Sequence, residues 1–180
     1  MSIEISALAK TYDTLGNSLI WNGRIFKKKA FNMEDIKLTR STWFYISSYM
    51  RALGFSQLYN ADGTYYMTSI GNMRKLIERD WTDRRKYLKE RYDCDNFAES
   101  FKEHMSSIYG INSVGLAKHI RTTLSTGQKI AHRACVFLAT ENHVIKLYLL
   151  ETQNDNMIKI RRNEEIKLGR WKYILNLLEF

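Results

Sequence analysis

Proline, about one residue in twenty of an ordinary protein, is absent from all 180 residues, and cysteine occurs only twice. No turn or helix end in this chain can therefore be set by proline. Two cysteines do not make a disulfide framework, so free thiols are expected. No apolar run approaches the roughly 18 residues that a membrane-spanning helix needs, and residues 1–10 lack the layout of a signal peptide. A soluble, cytoplasmic protein with no membrane partner is expected. Also missing are a glycine-rich phosphate loop, the GxSxG turn of serine hydrolases and the HExxH helix of zinc proteases. No CxxC or HxxxH pair exists either, which leaves a zinc site built from Cys94, Cys135 and two histidines without the usual spacing. Acidic residues are in deficit: 19 Asp and Glu stand against 28 Lys and Arg, for a net charge of +9. Such a balance suits a nucleic acid or an acidic protein surface and identifies neither.

What is present is enough for a folded protein. Hydrophobic residues make up 44% and aromatic residues 13%, which excludes disorder. The length allows one domain with a real core, with or without an extension. Residues 3–19 carry Leu8, Tyr12 and Leu15 on one face of a predicted short helix. A turn at 21–24 and the triplet Lys27-Lys28-Lys29 follow. Residues 35–53 are predicted as a second helix, ended by Gly54. Asn60-Ala61-Asp62-Gly63 is a turn signal and 64–67 a short strand. Residues 69–91 are the most charged segment, mixed in sign, with a helix predicted in its first half.

From Asp93 the pattern sharpens. Asp93 is a plausible N-cap for a helix bearing Phe97, Ala98, Phe101, Met105 and Ile108, and Gly110 ends it. Strands are predicted at 112–118, 130–139, 144–150 and 157–160, and a final helix after Asn163-Glu164-Glu165 with Ile166, Ile174, Leu175 and Leu178. The fold class is α+β. The division expected is a mainly helical extension over 1–65 packed on a core over 66–180.

Cys94 heads the clearest helix. A thiol in the first turn meets unpaired N–H groups and the positive dipole end, which favour thiolate. It is also a common place for a small apolar core residue. Cys135, within Ala134-Cys135-Val136-Phe137, reads as an inert core thiol. Thiol hydrolysis needs an imidazole from another element and an acceptor to orient it. His132 opens the 130–139 strand, and Glu151 closes the next one. They lie nearly the same distance from the turn at 141–143, so a hairpin allows them to face each other. His104, His119 and His143 read as surface or partly exposed positions.

Tyr92-Asp93-Cys94-Asp95-Asn96-Phe97-Ala98, preceded by Trp81-Thr82-Asp83 and followed by His132-Arg133 and Glu151-Thr152-Gln153, resembles the papain-like and transglutaminase-like cysteine enzymes. The motifs are most similar to those of the protease domain of the Marasmius oreades agglutinin-related lectins, over about residues 68–160. The resemblance implies a papain-like fold, a compact cysteine helix followed by an antiparallel sheet. It implies Cys94 as nucleophile, His132 as general base and acid, and Glu151 as the orienting carboxylate. Gln153, Trp81 and Asp95 would support the site or line its cleft. Calcium is the cofactor it implies, with Asp83, Asp93 or Asp95 as ligands. Protein or peptide would be the substrate. The repeated QxW pattern of a sugar-binding trefoil is absent, so carbohydrate binding is not implied.

Three positions depart from the family pattern. Asn96 replaces an acidic residue, Thr152 a proline and Arg133 a small residue beside the histidine. A guanidinium against His132 would lower its pKa, leaving room for an inactive scaffold. Two other readings follow from composition. One is a basic, non-catalytic binding module acting as an inhibitor or adaptor. The other is a nucleic-acid binder using Lys27, Lys28, Lys29, Arg84, Arg85, Lys86, Arg161 and Arg162, with aromatic stacking.

Overall fold

A strand of 13 residues, β5 (Lys129–Glu141), runs through the middle of the sheet. Its continuous stretch Ala134, Cys135, Val136, Phe137, Leu138 and Ala139 is buried on both faces, as a central strand covered on both sides requires. The computed structural model describes residues 36–180. The helix expected at 3–19, the turn at 21–24 and Lys27, Lys28 and Lys29 lie outside the described residues.

In chain order the elements are β1 (Thr39–Thr42), α1 (Trp43–Ala52), β2 (Leu58–Tyr59), β3 (Thr64–Met67) and α2 (Ile70–Arg79). A 3-10 turn at Thr82–Arg84 leads to α3 (Cys94–Tyr109). Then come β4 (Val114–Thr123), β5, β6 (Val144–Glu151), β7 (Asn156–Lys159), β8 (Ile166–Leu168) and β9 (Trp171–Glu179). The described residues thus form an α+β fold with three α-helices. Seven strands make a mixed sheet in the order β2-β9-β4-β5-β6-β7, with β8 also on β9, and β1 pairs with β3 separately. Only β2 runs parallel to its neighbour.

Two elements differ from the sequence expectation. The helix predicted over 35–53 begins only at Trp43, because Thr39–Thr42 pairs antiparallel with β3. Thr42 then caps the helix, its Oγ1 accepting from the Tyr45 N–H at 3.4 Å. The final helix is instead the hairpin β8–β9, turned at Gly169 with φ of 58°. Its aromatic and β-branched residues, Trp171, Tyr173 and Ile174, fit a pleated surface better than a helix. Tyr173 is buried and Ile174 exposed, the alternation of a half-buried strand.

The described part of the region expected as an extension shares the sheet's core. Ile46 and Met50 of α1 pack in one cluster with Val136, Leu138, Leu147, Leu149 and Leu178, and β2 lies on β9. On α3, Phe97, Ala98, Phe101 and Met105 are buried, and the Cys135 thiol donates to the Ala98 carbonyl at 3.2 Å. That contact joins α3 to β5 beside the buried apolar face. Gly110, at φ 66°, closes the helix in the left-handed conformation. Asn142 (φ 50°) and His143 (φ 64°) form a two-residue turn between β5 and β6, whose twist matches the flanking strands.

Candidate active site

Cys94 is the first residue of α3, and Asp93, in extended conformation, precedes it as N-cap. The Asn96 side-chain oxygen accepts the Asp93 N–H at 3.1 Å, closing the reciprocal capping arrangement at the head of the helix. Cys94 is half-buried and its thiol free. The His132 ring is the largest cause of a thiol pKa lowered from the ordinary range. Desolvation and the Asp93 charge oppose the shift, while the Arg133 backbone N–H assists it. That N–H is accessible because β6 leaves β5 beyond the Cys135–Leu150 pair. Cys135, fully buried, has its pKa pushed far up by desolvation. The two thiols are therefore chemically opposite.

His132 is 7% exposed and Glu151 4%. His132 Nε2 lies 2.9 Å from Glu151 Oε1 and 3.0 Å from Oε2. With Nε2 committed to the carboxylate, Nδ1 is the nitrogen left for the thiol. Burial alone would depress the His132 pKa. The bonds to Cys94 and Glu151 outweigh it and leave the pKa raised, with Arg121 pulling the other way. The hairpin expectation is right in substance and two residues off in register. Continued one pair beyond Cys135–Leu150, the ladder sets Glu151 opposite Ala134. Glu151 therefore reaches His132 along the diagonal, a separation long side chains span.

The direct partner of His132 is His119 on β4, which sequence reasoning had placed at the surface. His119 is 3% exposed, and its ring meets that of His132 edge-on at 5.0 Å and that of Tyr173 at 5.1 Å. Burial lowers its pKa to about 4, so it is neutral at pH 7. The β4–β9 register shifts between Lys118 and His119, the local irregularity that re-aims a strand's side chains. The alternation His119-Ile120-Arg121 was the available signal for this second histidine and its companion arginine.

Arg121 was also missed. Its Nη1 is 3.2 Å from His132 Nε2 and 3.5 Å from Glu151 Oε2, and its guanidinium stacks 4.3 Å from the Trp171 ring centre. Arg133, the residue of concern from the sequence, pairs with Glu99 of α3 at 2.6 Å. Neighbouring strand residues point to opposite faces, and Arg133 does so. The arginine beside His132 is real; it comes from β4.

The remaining expected residues divide. Gln153 lines a cavity of about 300 Å³ together with Glu151, Arg121, Asn156, Trp171 and Tyr173. Trp81 packs on His104 at 5.1 Å and under the Arg85 guanidinium at 4.0 Å, half-exposed. Asp95 Oδ1 accepts the Asn96 N–H at 3.1 Å. The interaction of the neighbouring Asp93 and Asp95 carboxyl groups raises the pKa of the first and lowers that of the second. Donor atoms of Asp93, Cys94 and Asp95 lie within 4.8 Å of one another, and the Asp83 Oδ1 is buried with no hydrogen bond. Hard carboxylate oxygens of this kind suit calcium. Of the basic triplet, Arg85 is engaged: it donates to Tyr92 Oη at 2.7 Å and Ser100 Oγ at 3.4 Å. Arg84 approaches Asp83 at 3.9 Å, and Lys86 is exposed. His104, expected partly exposed, bonds Asp80 at 2.7 Å.

No family model and no curated protein matches this chain. Among solved structures it is similar to PSL1a in complex with E64, with a TM-score of 0.55 and 19% identity, covering 78% of this chain and 51% of that one. It is likewise similar to Polyporus squamosus lectin bound to a human-type influenza-binding epitope, at TM-score 0.55 and 17% identity, covering 78% and 49%. The chain thus spans about half the length of these lectins. The likeness carries the papain-like cysteine-protease-like fold.

Proposed function

We propose that the chain is a papain-like cysteine hydrolase of peptide or isopeptide bonds, with Cys94 as nucleophile, His132 as base and acid, and Glu151 as orienting carboxylate. One observation carries the reading. A buried imidazole of raised pKa is hydrogen-bonded to a buried carboxylate at 2.9 Å and lowers the pKa of a helix-head thiol. That is the arrangement by which a weak nucleophile is activated and its base held in one orientation. PSL1a, of similar fold, forms a complex with E64, a peptide-like inhibitor that alkylates active-site thiols, which favours peptide as the substrate class.

In this reading the Cys94 thiolate attacks the substrate carbonyl carbon. The oxyanion faces backbone N–H groups at the start of α3, which have no partner within the helix. Collapse breaks the C–N bond, and His132 passes its Nδ1 proton to the leaving amine. His132 then takes a proton from water, whose oxygen attacks the thioester. The acid product departs, and the thiolate and imidazolium are restored. Glu151 keeps Nε2–H in place and stabilises the imidazolium throughout. Asp93 and Asp95 are the residues whose oxygens would hold calcium beside the Cys94 turn, where its positive charge would favour the thiolate; no contact joins Asp83 to them.

E64 tests this reading. A single covalent adduct is expected, mapped to Cys94 by peptide mass analysis, with release of amino termini from a denatured protein substrate. Both should vanish in Cys94→Ala. An unmodified Cys94 in a folded chain, assayed with and without calcium, contradicts the proposal.

A further inference from the structure

The proposed reaction makes no use of His119. Its Nδ1 lies 3.1 Å from the Ala117 carbonyl, which can only accept, so Nδ1 carries the hydrogen and Nε2 bears a lone pair. That lone pair is buried and has no hydrogen-bond partner among the described residues. It does have neighbours able to share a cation. Ligand atoms of His119, His132 and Glu151 lie within 4.8 Å of one another, and all three residues are buried.

We propose that His119, His132 and Glu151 form a site for a divalent transition ion such as zinc, which binds in place of the proton between His132 and Glu151. Two imidazoles and a carboxylate are the donors borderline ions select, whereas calcium prefers oxygen alone. Zinc bonds run about 2.0–2.2 Å to such donors, so side-chain rotation must draw the three ligands together. The bond from His119 to the Ala117 carbonyl is the outer-shell contact that fixes a metal-binding histidine in the right tautomer. The cavity lined by Glu151, Arg121, Trp171 and Tyr173 supplies the entrance and space for water as a fourth ligand.

Arg121 opposes the ion. Its guanidinium already lies within 3.2 Å of His132 Nε2, and two cations so close repel. Binding therefore requires Arg121 to swing into the cavity it lines. The exchange is redox-neutral: the ion takes Nε2, and the Nε2 proton leaves to solvent. With Nε2 on the metal, the Nδ1–H belongs to a neutral imidazole, a far weaker acid than the imidazolium that passes its proton to the leaving amine. The metal would hold the enzyme reversibly inactive. Only this consequence rests on the proposed hydrolase reading; the binding does not.

Cobalt(II), titrated into the full chain after chelator treatment, serves as a spectroscopic probe. One equivalent should give visible bands of a low-coordinate nitrogen and oxygen site, displaced by zinc and unchanged in Cys94→Ala. Arg121→Gln should bind about tenfold more tightly, since a competing charge is gone. His119→Gln should weaken binding by about tenfold or more. Should that variant misfold, the Arg121→Gln and Cys94→Ala titrations decide alone. No bands in the native chain and Arg121→Gln overturn the site. So does an intense sulfur-to-cobalt band that disappears in Cys94→Ala, which assigns the ion to the thiol instead.

Discussion

His132 Nε2 lies within 3.0 Å of both oxygens of Glu151, although the two residues are not ladder partners. The carboxylate reaches the ring diagonally from beyond the end of the β5–β6 pairing. Both groups are buried, so their interaction is poorly screened. The negative charge of Glu151 helps to hold the imidazolium against its desolvation cost, and the imidazolium in turn helps to hold the thiolate.

Glu151→Gln tests that dependence with nearly unchanged shape. The His132 pKa should fall and the Cys94 pKa rise. A change of one pKa unit in the thiol reduces the thiolate fraction about tenfold at a pH below it. Alkylation of Cys94 at mildly acidic pH should slow by about that factor, followed by timed iodoacetamide labelling and peptide mass analysis.

Arg121 acts in the opposite direction, since its charge lowers the His132 pKa. In Arg121→Gln the imidazolium should persist to higher pH, moving the basic limb of the pH–rate profile upward. Loss of the stack on Trp171 removes about 0.5–1 kcal/mol of stability. A profile that stays in place, measured with chelator present, contradicts the assignment.

Arg133→Ala should leave the profile where it is. Its guanidinium is held by Glu99 at 2.6 Å, and that ion pair is partly exposed, worth about 0–1 kcal/mol. Chemical denaturation should show a change no larger than this. An acidic or basic limb displaced by this substitution contradicts the geometry.

Gly115 tests the sheet that carries the site. A Cβ there would lie 2.7 Å from the Glu179 carbonyl and 2.9 Å from the Phe180 ring. Gly115→Ala should cost about 1–3 kcal/mol through forced displacement of packed atoms. Gly63→Ala, with nothing within 4 Å of its Cβ, serves as the control in thermal denaturation.

Much of this site was legible because it is local. The Asp93 cap, the helical spacing through Phe97 and Phe101, and the apolar run at Ala134–Ala139 each declare themselves within a few residues. The hairpin turn at Asn142 and His143 then brings Glu151 near His132 even with the register misjudged by two. What could not be read depended on partners distant in sequence. His119 and Arg121 become part of the site only because β4 pairs with β5 and shifts register against β9. Arg133 sounded a false alarm because sequence gives adjacency, whereas strand geometry turns neighbours apart. The final hairpin was lost for a similar reason: Ile174, Leu175 and Leu178 suit helical spacing, and only pairing with β4 selects the strand.

The most direct measurement is the pH dependence of alkylation at each thiol in the chelated, folded chain. Thiolate is the reacting form, so a lowered pKa moves the rate midpoint to lower pH and a raised one to higher pH. Cys94 should react with a midpoint below the ordinary thiol range, and Cys135 should stay inert. In His132→Ala the Cys94 midpoint should return upward. A Cys94 midpoint at or above that of a free thiol, unmoved by loss of His132, would contradict the account at its centre.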